Sequence, residues 1–144
     1  MHDNSIPDTV FAFVHSYRLA MRSGLNASEL GLNYMHVKCL TFIDSNKSCT
    51  ANDIVNFFAR DKAQIARLVK DMIANAWVIK TDNPQDRRSQ LLSLTDEGKR
   101  LALLIAETQG KVHQQMQKNL TDEELQEFKR VTDIIVTNLT DLNR

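Results

Sequence analysis

The sequence predicts a mainly α-helical chain with one small β-hairpin, and three observations carry that expectation. Apolar residues recur at three- and four-residue steps through most of the 144 positions. Capping side chains stand just ahead of these runs, at Ser5, Thr50 and Thr121. One pair of short β-branched runs interrupts the helical rhythm, and between them lies a polar segment carrying Asp86-Arg87-Arg88.

Ser5-Ile6-Pro7-Asp8 sets a hydroxyl cap, a proline in the first turn and a carboxylate three residues on, which together satisfy the orphan amides of a starting helix. Ile6, Val10, Phe13, Val14, Tyr17 and Met21 form its apolar stripe, and Gly24 is its expected end. Ser28 is the expected cap of a second helix, with Leu32, Met35, Cys39, Leu40 and Ile43 on the buried side, closing at Ser45-Asn46-Lys47-Ser48. Thr50 and Asp53 repeat the cap-plus-acid pattern and open a short third helix in which Ile54, Val55, Phe57 and Phe58 are expected to be mostly buried. A tight turn at Ala59-Arg60 leads to a fourth helix, opened by Asp61 or a neighbour. Its inward face is Ile65, Leu68, Val69, Met72 and Ile73, and the opposite face presents Ala63, Gln64, Arg67, Lys70 and Asp71.

Residues 77–81 and 90–94 read as the strands of a hairpin whose long polar tip is 82–89. Thr95, with Asp96 and Glu97 in the first turn, opens a long fifth helix through Leu101, Leu104, Ile105, Val112 and Met116, reaching about Asn119. Thr121-Asp122-Glu123-Glu124 is a capping box for a last helix whose Leu125, Phe128, Val131, Ile135, Leu139 and Leu142 step by three or four. So small a chain leaves that stripe few partners of its own, and a second subunit is its expected cover.

Composition suits one folded domain spanning 1–144: 42% hydrophobic and 25% charged residues, with four glycines and two prolines. Lys plus Arg and Asp plus Glu both number 18, so no global field draws the chain to a polyanion, and any nucleic-acid binding must come from local charge. Residues 50–100, with 9 basic and 7 acidic side chains, are the most positive segment. The opening Met-His-Asp-Asn lacks a basic start and an apolar h-region, and no run approaches the roughly 20 apolar residues of a membrane span, so a cytoplasmic protein is expected. In that compartment Cys39 and Cys49 are expected to be thiols.

A helix pair followed by a basic hairpin can reach the major groove of DNA and the adjacent backbone or minor groove together. On the fourth helix, Gln64 suits adenine, Arg67 suits guanine, and the methyl of Ala63 suits thymine. A solvated amphipathic helix would carry the same residue types. The hairpin tip favours DNA, because an arginine entering a narrow minor groove gains from its negative potential, whereas an Asp86–arginine surface pair would contribute under about 1 kcal/mol.

Thr50-x-x-Asp53-Ile54, Asp61-Lys62 with Arg67-Leu68-Val69, Asp82-x-Pro84-x-Asp86-Arg87-Arg88 and Leu94-Thr95-x-x-Gly98 closely resemble the MarR family of winged helix-turn-helix transcription regulators. The resemblance extends over the whole chain. It implies a DNA-binding lobe at 28–98, flanked by dimerisation helices at 5–24 and 99–144. It further implies a homodimer that reads a palindromic operator, usually as a repressor, and that responds to small phenolic or lipophilic ligands or to cysteine oxidation. Carried onto this sequence, Thr50 and Asn52 would meet phosphates, Gln64 and Arg67 would face bases, and Lys62 and Lys70 would lie along the backbone. Asp86 would steer Arg88 into the minor groove, beside Arg87. Ala63 and Ala66 depart from the small hydroxylated residues common in the family, and Ala76 from its usual glycine.

His15, Arg18 and Arg22 lie along the first helix, and Tyr34 and His36 are expected across from them, a polar set suited to a weak aromatic acid. Satisfied interface side chains would look the same. Cys49, in the loop before Thr50, is the better redox candidate of the two cysteines, though ordinary packing is the commoner role. His36 and Cys39 share a helical face, but two ligands do not close a zinc site, so neither metal nor cofactor is expected. The competing reading is a winged helix kept for protein contacts, which would lack the steep salt dependence of DNA binding. An enzyme is disfavoured, since the chain has no Ser-His-Asp set or phosphate-binding glycine loop.

Overall fold

The computed structural model describes residues 5–144, the Ser28 side chain excepted, so the opening Met-His-Asp-Asn lies outside the described residues. The chain forms two compact units, Met1–Val112 and His113–Arg144. Helix α1 spans Ile6–Leu25, with Ser5 Oγ accepting from the Asp8 amide at 3.3 Å. It runs one residue past Gly24 and ends on Asn26, whose φ of 55° is left-handed. A single turn, α2 (Ala27–Leu30), closes on Gly31 at φ 72°.

Helix α3 covers Tyr34–Ser45 and is capped by Asn33, which corrects the expected start at Ser28. Asn33 Oδ1 accepts the His36 amide at 2.8 Å, and His36 Nδ1 accepts the Asn33 amide at 3.1 Å. The histidine thus takes the place that Glu or Gln usually fills in a capping box. Cys39, Leu40 and Ile43 are buried as expected.

Strand β1 (Cys49–Thr50) leads into α4 (Ala51–Phe58), where Thr50 Oγ1 accepts from the Asp53 amide and Asp53 Oδ2 from the Thr50 amide. Of the four α4 residues expected inside, Ile54 alone is fully buried, and Phe57 is 69% exposed. Ala51, Val55 and Phe58 pack against the core while only partly buried, and Phe57 packs on Phe42 and Phe58 instead. Ala59, at φ 50°, makes the tight turn before α5 (Lys62–Ala74). Ile65, Val69 and Met72 of α5 are buried, while Leu68 is half-buried and Ile73 lies outside.

Strands β2 (Val78–Thr81) and β3 (Leu91–Leu94) form the hairpin, and β1 adds to β3, giving an antiparallel sheet of order β1-β3-β2 with Cys49 opposite Leu92 and Val78 opposite Leu94. The two-residue β1 is too short to show period-2 alternation in the sequence. Helix α6 (Asp96–Met116) buries Leu101, Ala102 and Ile105 in a core shared with Met21, Leu40, Ile54, Ile65 and Val78. Helix α7 (Asp122–Asp141) has the expected capping box between Thr121 and Glu124, and none of its residues is buried.

The Leu94-Thr95-x-x-Gly98 segment joins hairpin to helix. Thr95 Oγ1 donates to the Ala76 carbonyl at 2.6 Å and accepts from the Gly98 amide at 3.0 Å, while the Thr95 amide donates to the Trp77 carbonyl at 3.0 Å. Ala76 is held there at φ 61°, a conformation that costs an L-residue about 1 kcal/mol and glycine almost nothing. Ala76→Gly is therefore expected to raise stability by roughly 0.5 kcal/mol, the gain being trimmed by glycine's looser unfolded chain. Thermal denaturation of the two proteins checks this.

Candidate nucleic-acid interface

Three elements of the first unit present the residues that the sequence singled out. Ile65, Val69 and Met72 turn one side of α5 into the core, so the opposite side, 100° per residue around the helix, belongs to Ala63, Arg67 and Lys70, all exposed. Gln64 and Asp71 fall on the flank. Gln64 is half-buried and lines a cleft with Arg18, Asn33, Tyr34, Arg60 and Arg67. The outward face is thus narrower than expected: Asp71 is bonded to His36, and Gln64 sits at the edge. Lys62 opens α5 and is exposed, as is Asn52 in the first turn of α4. The Thr50 hydroxyl oxygen accepts from Asp53 in the cap, which leaves its proton available to an external acceptor.

The wing tip is a chain of short-range bonds. Asn83 Oδ1 accepts from the Gln85 amide at 3.1 Å, and the Asn83 carbonyl from the Asp86 amide at 3.3 Å. Asp86 Oδ1 accepts from the Arg88 amide at 2.9 Å, and Asp86 Oδ2 from the Ser89 hydroxyl at 3.0 Å. Asp86 therefore shapes the backbone under Arg88 rather than holding a guanidinium, and no described ion pair involves Arg87 or Arg88.

A cavity of about 860 Å³ opens beside α1, α3 and α4. Arg18 and Arg22 line it with Tyr34, and the Arg18 guanidinium lies 4.2 Å from the Tyr34 ring centroid. Lys38 approaches the same ring at 4.9 Å and Phe58 at 5.4 Å, while Phe42, Phe57 and Phe58 form an aromatic wall. Burial, with the Tyr34 phenol beside it, pushes the Tyr17 phenol above its usual range. His15 is exposed outside this lining, and His36 faces the Gln64 cleft instead, so two of the five expected effector residues lie elsewhere. Lys38 and the phenylalanines went unrecognised in the sequence, although the four-residue step from Tyr34 to Lys38 was a usable sign.

Cys49 is not a loop thiol. It lies in β1, is buried, and has its sulfur 3.9 Å from the Leu92 carbonyl. Burial first, and Asp53 second, push its pKa up, and burial raises Cys39 to about 11. Neither site favours a thiolate at neutral pH, which removes the physical basis for oxidant sensing at Cys49.

Residues 30–89, which include α3, α4, α5 and the wing, match the model of the MarR family. Over that segment the chain is similar to the MarR family. Among curated relatives, the HTH-type transcriptional regulator BilQ of Clostridioides difficile is 29% identical over 89 residues, covering 62% of this chain and 60% of BilQ. The chain thus spans less than two thirds of BilQ's length. The multiple antibiotic resistance protein MarR of Salmonella typhimurium is 25% identical over 99 residues, 68% of this chain and 69% of that protein. The crystal structure of the S. aureus MepR–DNA complex superposes with a TM-score of 0.84 at 14% identity, over 94% of this chain and 99% of MepR, a likeness of fold.

Within the matched segment, the structure brings Ala63, Arg67 and Lys70 onto one helix face and sets Arg87 and Arg88 on the tip of the wing. Gly98, the last residue of the family-like motif, has its role in packing. An ideal Cβ there would lie 2.0 Å from the Trp77 carbonyl oxygen.

Proposed function

We propose that this chain is a MarR-family transcriptional regulator that binds double-stranded DNA as a homodimer, with α5 in the major groove and the wing arginines at the adjacent minor groove. One observation carries the reading: these cations are not neutralised within the chain, and three acidic side chains of the same elements are engaged elsewhere. Asp53 closes the Thr50 cap, Asp71 meets His36, and Asp86 accepts from Arg88 N–H and Ser89. Lys62, Arg67, Lys70, Arg87 and Arg88 have no ion-pair partner among the described residues. Their charge is left for phosphates and base edges, and it overcomes the neutral total by being local. Thr50 and Asn52 complete the set as phosphate contacts, with Gln64 reaching the groove from the flank.

Pairing of two chains supports a palindromic operator, because a two-fold dimer sets its recognition helices about 34 Å apart, one turn of the duplex. The exposed apolar residues of α7, with Ile134 49% and Leu139 57% exposed, favour such pairing. An effector in the Arg18–Tyr34 cavity, a small phenolic or lipophilic acid, would relieve repression by favouring a different helix spacing. To act, it must bind the two spacings with different affinity.

Arg88→Ala is expected to weaken operator binding about tenfold or more while leaving the dimer intact. Titration against operator duplex, with sedimentation of both proteins, tests it. Equal affinities would remove the wing from the mechanism, and affinity insensitive to salt would favour a protein-binding winged helix.

A further inference from the structure

Helix α5 starts without a side-chain cap, since Asp61 makes no such bond, and its core contacts through Ile65, Val69 and Met72 are apolar and non-directional. Those contacts set which side faces the core, and a directional bond at the flank would narrow the rotation further and with it the aim of Arg67. His36 lies against its flank, only 4% exposed, with its ring edge-on to Trp77 at 5.4 Å. Nδ1 accepts the Asn33 amide, so the one ring proton is on Nε2, and Nε2 meets Asp71 Oδ2 at 2.6 Å. The capping box that begins α3 thus also selects the tautomer that donates to α5. Asp71 is one turn beyond Arg67 on the same helix, and its carboxylate is 53% exposed.

We propose that His36 and Asp71 are positioning residues for DNA reading: the Nε2–H donor, oriented by the α3 cap, fixes the rotation of α5 and so the aim of Arg67. This rests on the DNA-binding function proposed above. A short bond to a carboxylate is directional in a way that apolar packing is not. It also explains an acidic group on a helix meant for a polyanion, where charge alone would select against it.

Positioning and charge make opposite forecasts for Asp71. If the carboxylate only repels phosphates, Asp71→Ala should tighten every duplex. If it positions α5, Asp71→Ala should lower the ratio of operator to nonspecific affinity about tenfold, with nonspecific affinity unchanged or raised. Asp71→Asn keeps an oxygen for Nε2–H and should retain the wild-type ratio within about twofold. Operator and random duplexes titrated against the three proteins, with thermal unfolding as a folding check on these exposed-site variants, give the answer. An Asp71→Ala ratio equal to wild type overturns the proposal, as does an Asp71→Asn loss as large as that of Asp71→Ala. Failure of the wild-type protein to bind any duplex would instead refute the proposed function.

Discussion

Gly98→Ala is expected to destabilise the first unit by about 3 kcal/mol or more, a large share of the 5–15 kcal/mol that holds a typical domain. The added methyl would fall 2.0 Å from the Trp77 carbonyl oxygen, 3.0 Å from its carbon and 3.3 Å from Leu94 Cβ. No flexible side chain can yield, because the nearest atoms are backbone. That carbonyl is itself fixed by the Thr95 amide, and Thr95 ties Gly98 to Ala76 through its hydroxyl. Relief requires α6 and the wing strands to separate, which would expose Leu92, Leu94 and Trp77. The melting temperature should fall by roughly 10 °C. A decrease under about 2 °C in thermal unfolding would show that the junction is more compliant than its bonds imply.

Truncation before Thr121 is expected to abolish the dimer and cost at least about a hundredfold in operator affinity, the usual loss when two linked sites become one. Phe128, Val131, Ile134, Val136 and Leu139 of α7, with Leu142 just after it, are each at least 41% exposed. At about 1.5 kcal/mol per side chain, covering six of them yields on the order of 9 kcal/mol from each chain. The two chains together can therefore exceed an association cost of about 4–15 kcal/mol. Sedimentation velocity should show a monomer. A soluble dimer from the truncated chain would place the subunit contact elsewhere.

Features closed by bonds three residues apart were legible in the sequence: the caps at Ser5, Thr50 and Thr121, and the hydroxyl of Thr95 at the start of α6. The wing was legible as well, because its turn bonds run from Asn83 to Ser89 within seven residues. What escaped depends on distant partners. His36 and Asp71 are 35 residues apart and meet only after α3 packs on α5. Phe57 has the residue type of a core position, yet it is exposed, because the direction of α4 over the core is set by tertiary packing. Cys49 looked like a loop thiol because β1 gains its strand character from β3, more than 40 residues later. The outward face of α5 expected from the sequence was too wide in extent, since Gln64 and Asp71 lie where α3 meets it.

Selection of bound sequences from a random duplex library, followed by a salt titration on the enriched site, tests the central claim most directly. A palindromic consensus with half-sites about one helical turn apart is expected, with an affinity that falls steeply with salt as several phosphate contacts release counterions. No enrichment, or binding indifferent to salt, would contradict it.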